Sequence, residues 1–511
     1  MNFLIDGLFQ NLEPSSQFAK IPGPEKERWY TYQDVLDVSA RLANVLTSRG
    51  VQPGDRVAVQ VPKSIEALML YLGTIRAGAV FLPLNTAYTP SEVEFFLTDA
   101  EPSIFVCDPH MKNDYIGLAE NLGVTLDTLG VWQNPEESAG TLADDGLQAS
   151  THFQNVARKA EDLAAILYTS GTTGRSKGAM LTHENLLSNT KTLVDYWEFT
   201  EQDILLHALP IFHTHGLFVA TNVVIASGAS MLFFGAFDKD AILENLPRVT
   251  SLMGVPTFYT RLLNDDRLNR ALVKNMRLFI SGSAPLLAET HNQFGERTGH
   301  RILERYGMTE TNMNTSNPYR GERIAGTVGF PLPGVEVRVT DQKTGAVLGC
   351  DKVGMVEVKG PNVFSGYWKL PEKTKEEFRS DGFFITGDLG KIDADGYLQI
   401  VGRSKDLIIS GGYNIYPKEI ELVLDDCENV EESAVIGVPH PDFGEAVLGI
   451  VVSKPGTDQS EETILKSIEE KLARFKQPKR LIFVDGLPRN TMGKVQKNLL
   501  REQFKAALDK S

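Results

Sequence analysis

With 511 residues, the chain is too long for a single hydrophobic core, because single cores stop growing at about 250–300 residues. Its composition, 42% hydrophobic and 23% charged, is that of a folded globular protein and excludes a disordered or collagen-like chain. The formal charge of −15 excludes a nucleic-acid duplex as the partner, since phosphate binding needs a basic surface, and any site for an anion must be locally basic.

The N-terminal segment lacks the features of a targeting peptide. It contains Asp6 and has no lysine or arginine before Lys20, which is wrong for a secretory signal and for an arginine-rich transit peptide. The three cysteines, Cys107, Cys350 and Cys427, are far apart and match no metal or CxxC spacing. We therefore expect a cytoplasmic protein whose thiols are free, buried and inert.

The first part of the chain alternates helical and strand patterns. Apolar residues in the range 35–46 recur at helical spacing, with Thr31 placed to cap the helix and Gly50 placed to end it. The segment 56–61 then has the pattern of a strand, and 64–85 repeats the order of helix and strand. Such alternation predicts an α/β fold with largely parallel sheets.

The longest uncharged stretch, 217–237, is the one segment with the apolar length of a membrane span. It contains Thr221, Asn222 and Gly228, which favour a buried helix, turn and strand instead. We therefore expect no membrane span.

The pattern changes after Gly326. Short strands punctuated by glycine follow in the ranges 326–341, 354–360 and 396–402. These predict a more antiparallel β subdomain within the larger part of the chain.

A second change follows the GRSKD sequence at 402–406. Beyond it, two amphipathic helical patterns lie beside the strand-like segment 432–438. We place the domain boundary here and predict a large N-terminal domain, 1–404, and a small α+β domain, 405–511. The fold class is therefore mixed α/β.

The strongest local motif is YTSGTTGRSKG, Tyr168 to Gly178, which directly follows an apolar strand. Its small residues let successive backbone N–H groups form a nest for an anion, and Lys177 adds a point charge. It is not a Walker A loop, because no Gly-Lys-Ser/Thr follows at that spacing. The motif predicts a polyphosphate site, with a flexible glycine-rich turn as the alternative.

Three further motifs supply charged groups. In the range 305–311, Glu310 is suited to a Mg²⁺ ion that bridges phosphate oxygens, with a surface or helix-capping glutamate as the alternative. Asp388 with Arg403 is suited to ribose hydroxyls, or else forms a structural ion pair. Lys494 follows a glycine in a short loop and would neutralise charge in phosphoryl chemistry, unless it is an ordinary solvated lysine.

In this order, the motifs resemble those of the acyl- and aryl-CoA ligase, adenylation-domain and firefly-luciferase superfamily, over essentially the whole chain. Four stretches are similar to the bacterial malonyl-CoA synthetases within that superfamily: LLHALPIFHTHGL, MGVPTFYTRLL, LFISGSAPL and RYGMTETNMNTSNPY. The resemblance implies an enzyme that adenylates a carboxylic acid with ATP and Mg²⁺ and then transfers the acyl group to coenzyme A (CoA). Malonate is the implied acid, and methylmalonate is a further candidate.

The resemblance also assigns the nucleotide site residue by residue. Glu310 would bind Mg²⁺, while Asp388 and Arg403 would hold the ribose. The loop would wrap the β- and γ-phosphates with Thr169, Ser170, Gly171, Thr172, Thr173, Gly174 and Lys177. Two further segments would border the adenine and the α-phosphate: Gly282, Ser283, Ala284 and Pro285 in the first, and Arg305, Tyr306, Gly307, Met308 and Thr309 in the second.

The implied catalytic residues are Lys494, Glu310 and His213. Lys494 would bridge the attacking carboxylate and the α-phosphate, and it is a candidate target for a lysine acetyltransferase and deacetylase because acetylation removes its charge. His213 would open or close the pantetheine tunnel, with a core histidine as the alternative. The small domain would rotate about Lys405 and present four residues to CoA: Ser410, Gly411, Gly412 and Tyr413.

The choice of acid rests on Arg261, whose planar guanidinium suits two-pronged pairing with the second carboxylate of malonate. Ser281 and the backbone near Met308 would complete the cradle, with His207 as a weaker candidate. An acid with one carboxylate would leave Arg261 buried without a partner, at a cost of about 3–5 kcal/mol. From the residues alone, a surface arginine facing Asp265 is the alternative.

Several other functions use the same framework. They are a ligase for another short-chain acid, an adenylation domain that loads a carrier protein, a luciferase-type oxygenase and a non-enzymatic nucleotide sensor. The sequence identifies no docking surface for a carrier protein, and a pocket with Arg261 is a poor site for a large apolar luciferin. Charged groups in all four motifs, including Lys177 and Lys494, argue against a sensor.

Overall fold

The computed structural model describes residues 1–10, 12–22, 27–130, 140–169, 176–410, 413–457, 460–490 and 494–508. In chain order, the strands are β1 (Gln17–Ile21), β2 (Arg28–Thr31), β3 (Arg56–Gln60), β4 (Val80–Pro83), β5 (Ile104–Cys107), β6 (Thr125–Thr128), β7 (Leu163–Thr169), β8 (Lys177–Thr182), β9 (Ile204–His207), β10 (Ser230–Phe233), β11 (Ser251–Gly254), β12 (Leu278–Ser281), β13 (Leu303–Met308), β14 (Asn312–Ser316), β15 (Phe330–Pro331), β16 (Glu336–Thr340), β17 (Gly354–Lys359), β18 (Gly366–Tyr367), β19 (Phe384–Ile392), β20 (Leu398–Arg403), β21 (Ile408–Ser410), β22 (Tyr413–Ile415), β23 (Val430–His440), β24 (Gly444–Ser453) and β25 (Arg480–Phe483).

The α-helices, also in chain order, are α1 (Phe3–Leu8), α2 (Tyr32–Ser48), α3 (Ile65–Arg76), α4 (Pro90–Ala100), α5 (Lys112–Leu122), α6 (Thr141–Gln148), α7 (His183–Tyr196), α8 (Asn222–Ser227), α9 (Lys239–Asn245), α10 (Pro256–Leu263), α11 (Ala288–Thr298), α12 (Pro371–Glu376), α13 (Pro417–Asp425), α14 (Glu461–Ile468) and α15 (Lys497–Gln503). A π-helix, His215–Thr221, leads into α8.

Two large sheets form the first part of the chain. In the nine-stranded sheet, β13, β12, β11, β9, β10 and β1 run parallel, and β14, β15 and β2 lie antiparallel at its edges. In the seven-stranded sheet, β7, β4, β3, β5 and β6 run parallel, and β8 and β18 are antiparallel. The predicted α/β fold with largely parallel sheets is confirmed.

The predicted first helix is present as α2, and its cap is the predicted one. The Thr31 side chain accepts from the Asp34 backbone N–H, and the Asp34 carboxylate accepts from the Thr31 N–H, so each residue satisfies an otherwise free donor. Gly50 follows the helix with a φ of +89°, a conformation that glycine adopts without strain.

The uncharged stretch 217–237 folds as predicted into helix, turn and strand. It comprises the end of the π-helix, α8 and β10, and most of its residues are buried. Within the part of the chain that the structure describes, every helix is too short or too polar to cross a membrane.

The predicted antiparallel subdomain is the four-stranded sheet β16-β17-β19-β20, in which every pairing is antiparallel. Two short strands from the same part of the sequence, β15 and β18, do not belong to this four-stranded sheet. β15 is an edge strand of the nine-stranded sheet, where it pairs with β14, and β18 is an edge strand of the seven-stranded sheet, where it pairs with β8. This part of the chain is therefore hydrogen-bonded to both large sheets.

The C-terminal part has its own sheet, β22-β21-β24-β23 with β25 paired to β24. Each buried apolar cluster contains either residues up to Ile400 or residues from Ile408 onward, never both. Between them lies a single 3-10 turn, Ser404–Asp406, with the expected hinge Lys405 at its centre. Burial lowers the pKa of Lys405. The boundary between 404 and 405 stays a prediction.

All three cysteines are free, but they are not all buried. Cys107 and Cys427 are buried, and burial raises the pKa of the Cys107 thiol to about 12, which makes it inert. The expected burial of Cys350 is wrong, because it lies in the exposed turn between β16 and β17.

Candidate active site

The carboxyl ends of β9, β11, β12 and β13 lie along one edge of the nine-stranded sheet. Gly254, at the end of β11, pairs with Ser281, at the end of β12, and Ser281 pairs with Glu304 of β13. Arg305 therefore lies beside the segment 282–285. Ligands of open parallel sheets bind at this edge, so the fold brings two of the predicted border segments together where a ligand is expected.

Gly282 and Arg305 fit closely against each other. A Cβ atom on Gly282 would lie 2.4 Å from the guanidinium carbon of Arg305. Arg305 is only 3% exposed, and burial lowers its pKa to about 9. Its Nε and Nη2 atoms have no hydrogen-bond partner among the described residues. The missing Cβ thus makes room for a buried arginine that has donors to offer a ligand.

Other buried polar atoms at this edge also lack partners within the described ranges. They are Ser281 Oγ, His213 Nε2 and His215 Nε2. Next to them, Ser283 has a φ of +71° and its Oγ lies 3.3 Å from His215 Nδ1. Buried polar groups in proteins are normally hydrogen-bonded, so this concentration of unpaired donors and acceptors indicates a polar ligand.

The β13–β14 hairpin carries Glu310 in its turn. Met308 pairs with Asn312 across the hairpin, and a Cβ on Gly307 would lie 1.9 Å from the Asn312 carbonyl oxygen, so only glycine fits. Glu310 is 6% exposed, and burial raises its pKa. The alternative of a surface glutamate is therefore wrong.

Glu310 fits a Mg²⁺ ion that is shared with phosphate. It is buried, yet no described lysine or arginine forms an ion pair with it. The described part of the chain also holds no cluster of three His, Cys, Asp or Glu residues suited to a metal. Mg²⁺ is commonly held by one or two carboxylates together with substrate phosphates, which is what a single buried carboxylate provides.

Asp388 and Arg403 face each other across β19 and β20. Arg403 Nε lies 2.7 Å from Asp388 Oδ1, and the Tyr306 hydroxyl donates to Asp388 Oδ2 at 2.6 Å. The ion pair raises the pKa of Arg403. The structural ion pair is therefore formed, and a ribose hydroxyl would have to share these carboxylate oxygens, which accept more than one donor.

Lys494 lies on an exposed loop, but its charge reaches the same cleft. Burial, and then the positive charge of Arg403, lower its pKa to about 8. Asp388 and Glu310 oppose this shift, and Arg305 adds to it, so all four groups lie within electrostatic range of the lysine. Because the residue is exposed, its role in the chemistry stays a prediction.

His213 is half-buried next to this lysine. Burial, with a further contribution from Lys494, lowers its pKa to about 3, so the ring is neutral at neutral pH. Its ring packs edge-on against Phe212, with centres 4.6 Å apart. A neutral ring at the cleft is compatible with a gate, and the gating role stays a prediction.

The glycine-rich motif directly follows the apolar strand β7, as the sequence predicts. Thr169 at the end of β7 pairs with Lys177 at the start of β8, so the motif connects two antiparallel strands, and α7 begins only at His183. The predicted loop residues Ser170, Gly171, Thr172, Thr173 and Gly174 lie outside the described residues.

Lys177 is joined to Glu310 through two residues that the sequence analysis missed, Tyr367 and Glu377. The Tyr367 hydroxyl lies 3.0 Å from Glu310 Oε1 and 2.7 Å from Glu377 Oε2, and Lys177 Nζ lies 3.0 Å from Glu377 Oε1. Burial opposes the ionisation of Glu377, but Tyr367 and Lys177 lower its pKa overall. Its charged surroundings, PEKTKEEF, are typical of a solvated helix and gave no indication of this role.

Arg261 lies on α10, which begins beside the carboxyl edge of the sheet. The helix is tied to β12 by the Tyr259 hydroxyl, which donates to the Ile280 carbonyl oxygen at 2.6 Å. The Arg261 guanidinium lies over the ring of Phe237, 5.5 Å from its centre. Arg261 is exposed, so its expected burial is wrong and the cost estimated for an unpaired buried charge does not apply.

The alternative pairing of Arg261 with Asp265 is not formed either. Asp265 instead bonds to Arg267 at 2.8 Å and to Lys239 at 2.8 Å. The guanidinium of Arg261 thus has no carboxylate partner among the described residues and is available to one from a ligand.

His207, at the end of β9, has both ring nitrogens engaged. Nδ1 lies 3.0 Å from Lys63 Nζ, and Nε2 lies 2.9 Å from the Gly216 carbonyl oxygen. Since the Gly216 carbonyl oxygen can only accept, Nε2 carries the proton and Nδ1 accepts from Lys63. In this structure His207 therefore positions Lys63, a second residue that the sequence did not indicate, and offers no free nitrogen to a carboxylate.

The residues expected at CoA lie on β21 and β22 of the small sheet. Ser410 is 8% exposed, whereas Tyr413 is 57% exposed and stacks on Phe475 with ring centres 4.6 Å apart. Gly411 and Gly412 lie outside the described residues. An exposed aromatic pair on this face is available for a ligand.

Two protein families match the chain. Residues 14–368 match the family described as AMP-binding enzyme, and residues 419–494 match its C-terminal domain. A probable CoA ligase of Humulus lupulus is 38% identical, covering 91% of this chain and 82% of the relative. A malonate–CoA ligase of Arabidopsis thaliana is 35% identical, covering 89% of this chain and 79% of the relative.

Two solved structures of one protein are similar to this chain over nearly its whole length. ATP-bound MatB from Rhodopseudomonas palustris is 57% identical, covers 99% of both chains and superposes with a TM-score of 0.95. Apo MatB from the same organism has the same identity and coverage but a TM-score of 0.84. At equal identity and coverage, the fold of this chain superposes more closely on the ATP-bound protein than on the apo protein.

We predict that Gly282→Ala weakens the binding of magnesium ATP by about tenfold, because the new Cβ displaces the Arg305 guanidinium and its charged hydrogen bonds. Titration calorimetry measures the affinity. Gly235→Ala is the matched control, since a Cβ there meets no heavy atom within 4 Å. Wild-type affinity in Gly282→Ala would contradict this account of the glycine.

Proposed function

Since the chain belongs to the AMP-binding enzyme family, we propose that it is an AMP-forming malonate–CoA ligase. It converts ATP, malonate and CoA into AMP, pyrophosphate and malonyl-CoA. The likeness to a malonate–CoA ligase and to ATP-bound MatB supports the proposal. The observation that carries it is that Arg305 and Glu310, on β13 and its hairpin turn, are both buried without an ion-pair partner among the described residues.

The first step must bring two anions together. The malonate carboxylate attacks the α-phosphorus of ATP, and pyrophosphate leaves. Two unit charges about 4 Å apart repel by about 4 kcal/mol at an effective dielectric constant near 20, so cations must be in place. Lys494 bridges the attacking carboxylate and the α-phosphate, and Arg305 lies below the same edge with unpaired donors.

The leaving pyrophosphate is held at the other side of the cleft. Lys177 receives the β- and γ-phosphates, and Glu310 is the residue that would hold Mg²⁺. The ion, when bound, neutralises phosphate charge. Tyr367 hydrogen-bonds to Glu310 and orients its carboxylate, while Asp388 and Arg403 hold the ribose.

The second step uses the opposite face of the small domain. Rotation about Lys405 withdraws Lys494 and brings the face with Ser410 and Tyr413 to the acyl-adenylate. The CoA thiolate then attacks the acyl carbon, and AMP leaves. The exposed Tyr413 ring supports this role, because it is free to meet a ligand.

The second carboxylate of malonate is held by Arg261. Its guanidinium is exposed and has no carboxylate partner in the described ranges, so it can pair in two-pronged fashion with the acid. Ser281 Oγ, which is buried and has no hydrogen-bond partner in the described part of the chain, is a further donor at the sheet edge. Arg261 is exposed and stays hydrated when no ligand is bound. An acid with one carboxylate therefore leaves no buried unpaired charge, and we expect it to bind more weakly only because it lacks the contact with Arg261.

We also propose a cytoplasmic location. All three cysteines are free thiols, which is typical of a reducing compartment. Acetylation of Lys494 by an acetyltransferase would remove the charge that the first step needs, and a deacetylase would restore it.

An assay of thioester formation with acetate, malonate, methylmalonate, succinate and benzoate tests the proposed function. We expect the highest kcat/KM for malonate. The kcat/KM for methylmalonate should be lower by about 10- to 200-fold, because one methyl group changes the binding free energy by about 1–3 kcal/mol. A carrier protein in place of CoA should release no AMP. A preference for acetate or benzoate would contradict the assignment.

We predict that Arg261→Met lowers kcat/KM for malonate by about 100-fold, because a charged hydrogen-bonded pair worth about 1.5–3 kcal/mol is lost. The affinity for ATP should not change. Arg267→Met removes the same charge from a nearby surface position and serves as the control. Equal effects of the two substitutions would exclude Arg261 from the acid site.

We predict that Lys494→Ala abolishes formation of the adenylate but not the reaction of supplied malonyl-adenylate with CoA. In the wild type, kcat/KM for adenylation should fall as pH rises through about 8, because the lowered pKa removes the ammonium proton there. The second half-reaction should lack this decline. If Lys494→Ala slowed both half-reactions equally, the proposed role would be wrong.

A further inference from the structure

Lys177 already has an anionic partner, one to which the proposed reaction assigns no role. Its Nζ lies 3.0 Å from Glu377 Oε1, and the two side chains are only 13% and 21% exposed. The ammonium also lies over the ring of Tyr367, 4.0 Å from its centre. The lysine at the start of β8 is thus held between a carboxylate and an aromatic face.

Glu377 is itself fixed in position. Its Oε2 accepts from the Tyr367 hydroxyl at 2.7 Å, and Lys373 Nζ lies 3.2 Å from its Oε1. Its backbone carbonyl accepts from the Ile385 N–H at 2.8 Å. The neighbouring Glu376 differs, because its side chain is 68% exposed and its ion pair, within the described ranges, is with Lys373 alone.

The same carboxylate lies beside the proposed magnesium ligand. The Tyr367 hydroxyl is 3.0 Å from Glu310 Oε1 and has a single proton to donate, so it spans the two carboxylates. A polyphosphate that reaches both Lys177 and Glu310 must therefore approach Glu377. The negative charge of Glu377 repels the phosphates and competes with them for Lys177.

We propose that Glu377 is the resident counter-ion of Lys177, which releases the lysine when the polyphosphate of ATP binds and pairs with it again when pyrophosphate leaves. The exchange keeps the half-buried lysine compensated while the site is empty. It also weakens the hold on pyrophosphate and so speeds its release. The inference rests on the proposed phosphate-binding role of Lys177 but not on the identity of the acid.

Glu377→Gln tests the proposal, since it removes the charge and keeps an oxygen that accepts from Tyr367. We expect magnesium ATP and magnesium pyrophosphate to bind about three- to tenfold more tightly, as measured by calorimetry without acid or CoA. The KM for ATP should fall, and kcat should not rise, because pyrophosphate leaves more slowly. Glu376→Gln changes the net charge equally and should bind both as the wild type does.

A double variant distinguishes competition of Glu377 for Lys177 from a general electrostatic effect of the Glu377 charge on phosphate binding. In a Lys177→Met background, Glu377→Gln should give no tightening, because the shared lysine is absent. If Glu377→Gln does not fold, Glu377→Asp withdraws the carboxylate by one methylene and should show a smaller tightening. Pyrophosphate binding no tighter than in Glu376→Gln would overturn the proposal, since a merely structural glutamate can only weaken binding when it is changed.

The outcome is independent of the test of the proposed function. Binding of ATP and pyrophosphate requires no acid, so tightening in Glu377→Gln would support the counter-ion role even if no acid in the panel formed a thioester. In that case the assignment as a malonate–CoA ligase would be wrong, and the exchange at Lys177 would stand.

Discussion

Compensation of charge at the carboxyl edge of the nine-stranded sheet is the constraint on which the rest of the structure depends. The chain carries a formal charge of −15, yet its proposed substrates are anions that must approach each other. The fold meets this demand locally: Arg305 is buried with donors that lack a partner among the described residues, and Lys494 of the small domain is within electrostatic range of it. Opposing carboxylates, Glu310 and Asp388, lie within range, so the cleft holds alternating charges and not a uniform positive field.

Close backbone approach makes this arrangement possible. Gly282 leaves the volume that the Arg305 guanidinium occupies, and Gly307 lets the two strands of the hairpin approach until a side chain would clash with the Asn312 carbonyl. Both positions require glycine because a Cβ atom would clash with a neighbouring residue. Backbone conformation is not the reason, since neither glycine has a positive φ. The hairpin then holds Glu310 in a buried turn, where a carboxylate without a cationic partner is suited to a metal ion and phosphate.

Some charged groups have internal partners, whereas Arg305 and Glu310 form no ion pair within the described ranges. Asp388 binds Arg403 and Tyr306, Lys177 binds Glu377, and Lys63 binds His207. Such pairs lower the cost of leaving charges half-buried. If Lys177 binds phosphate as proposed, the phosphate must exchange with Glu377.

The sequence by itself determined the features that depend on neighbouring residues. These include the cap of α2 at Thr31, the alternation that predicts parallel sheets, the helix and strand in 217–237, and the motifs of Glu310, Asp388 and Arg403, because periodicity and turn chemistry act over a few residues. Only the tertiary structure decided which distant side chains meet. Lys177 and Glu377 are 200 positions apart, and Lys63 and His207 are 144 apart. The sequence likewise did not indicate that Arg261 and Cys350 are exposed. Such contacts follow from strand order and register across the sheets, which local sequence patterns do not encode.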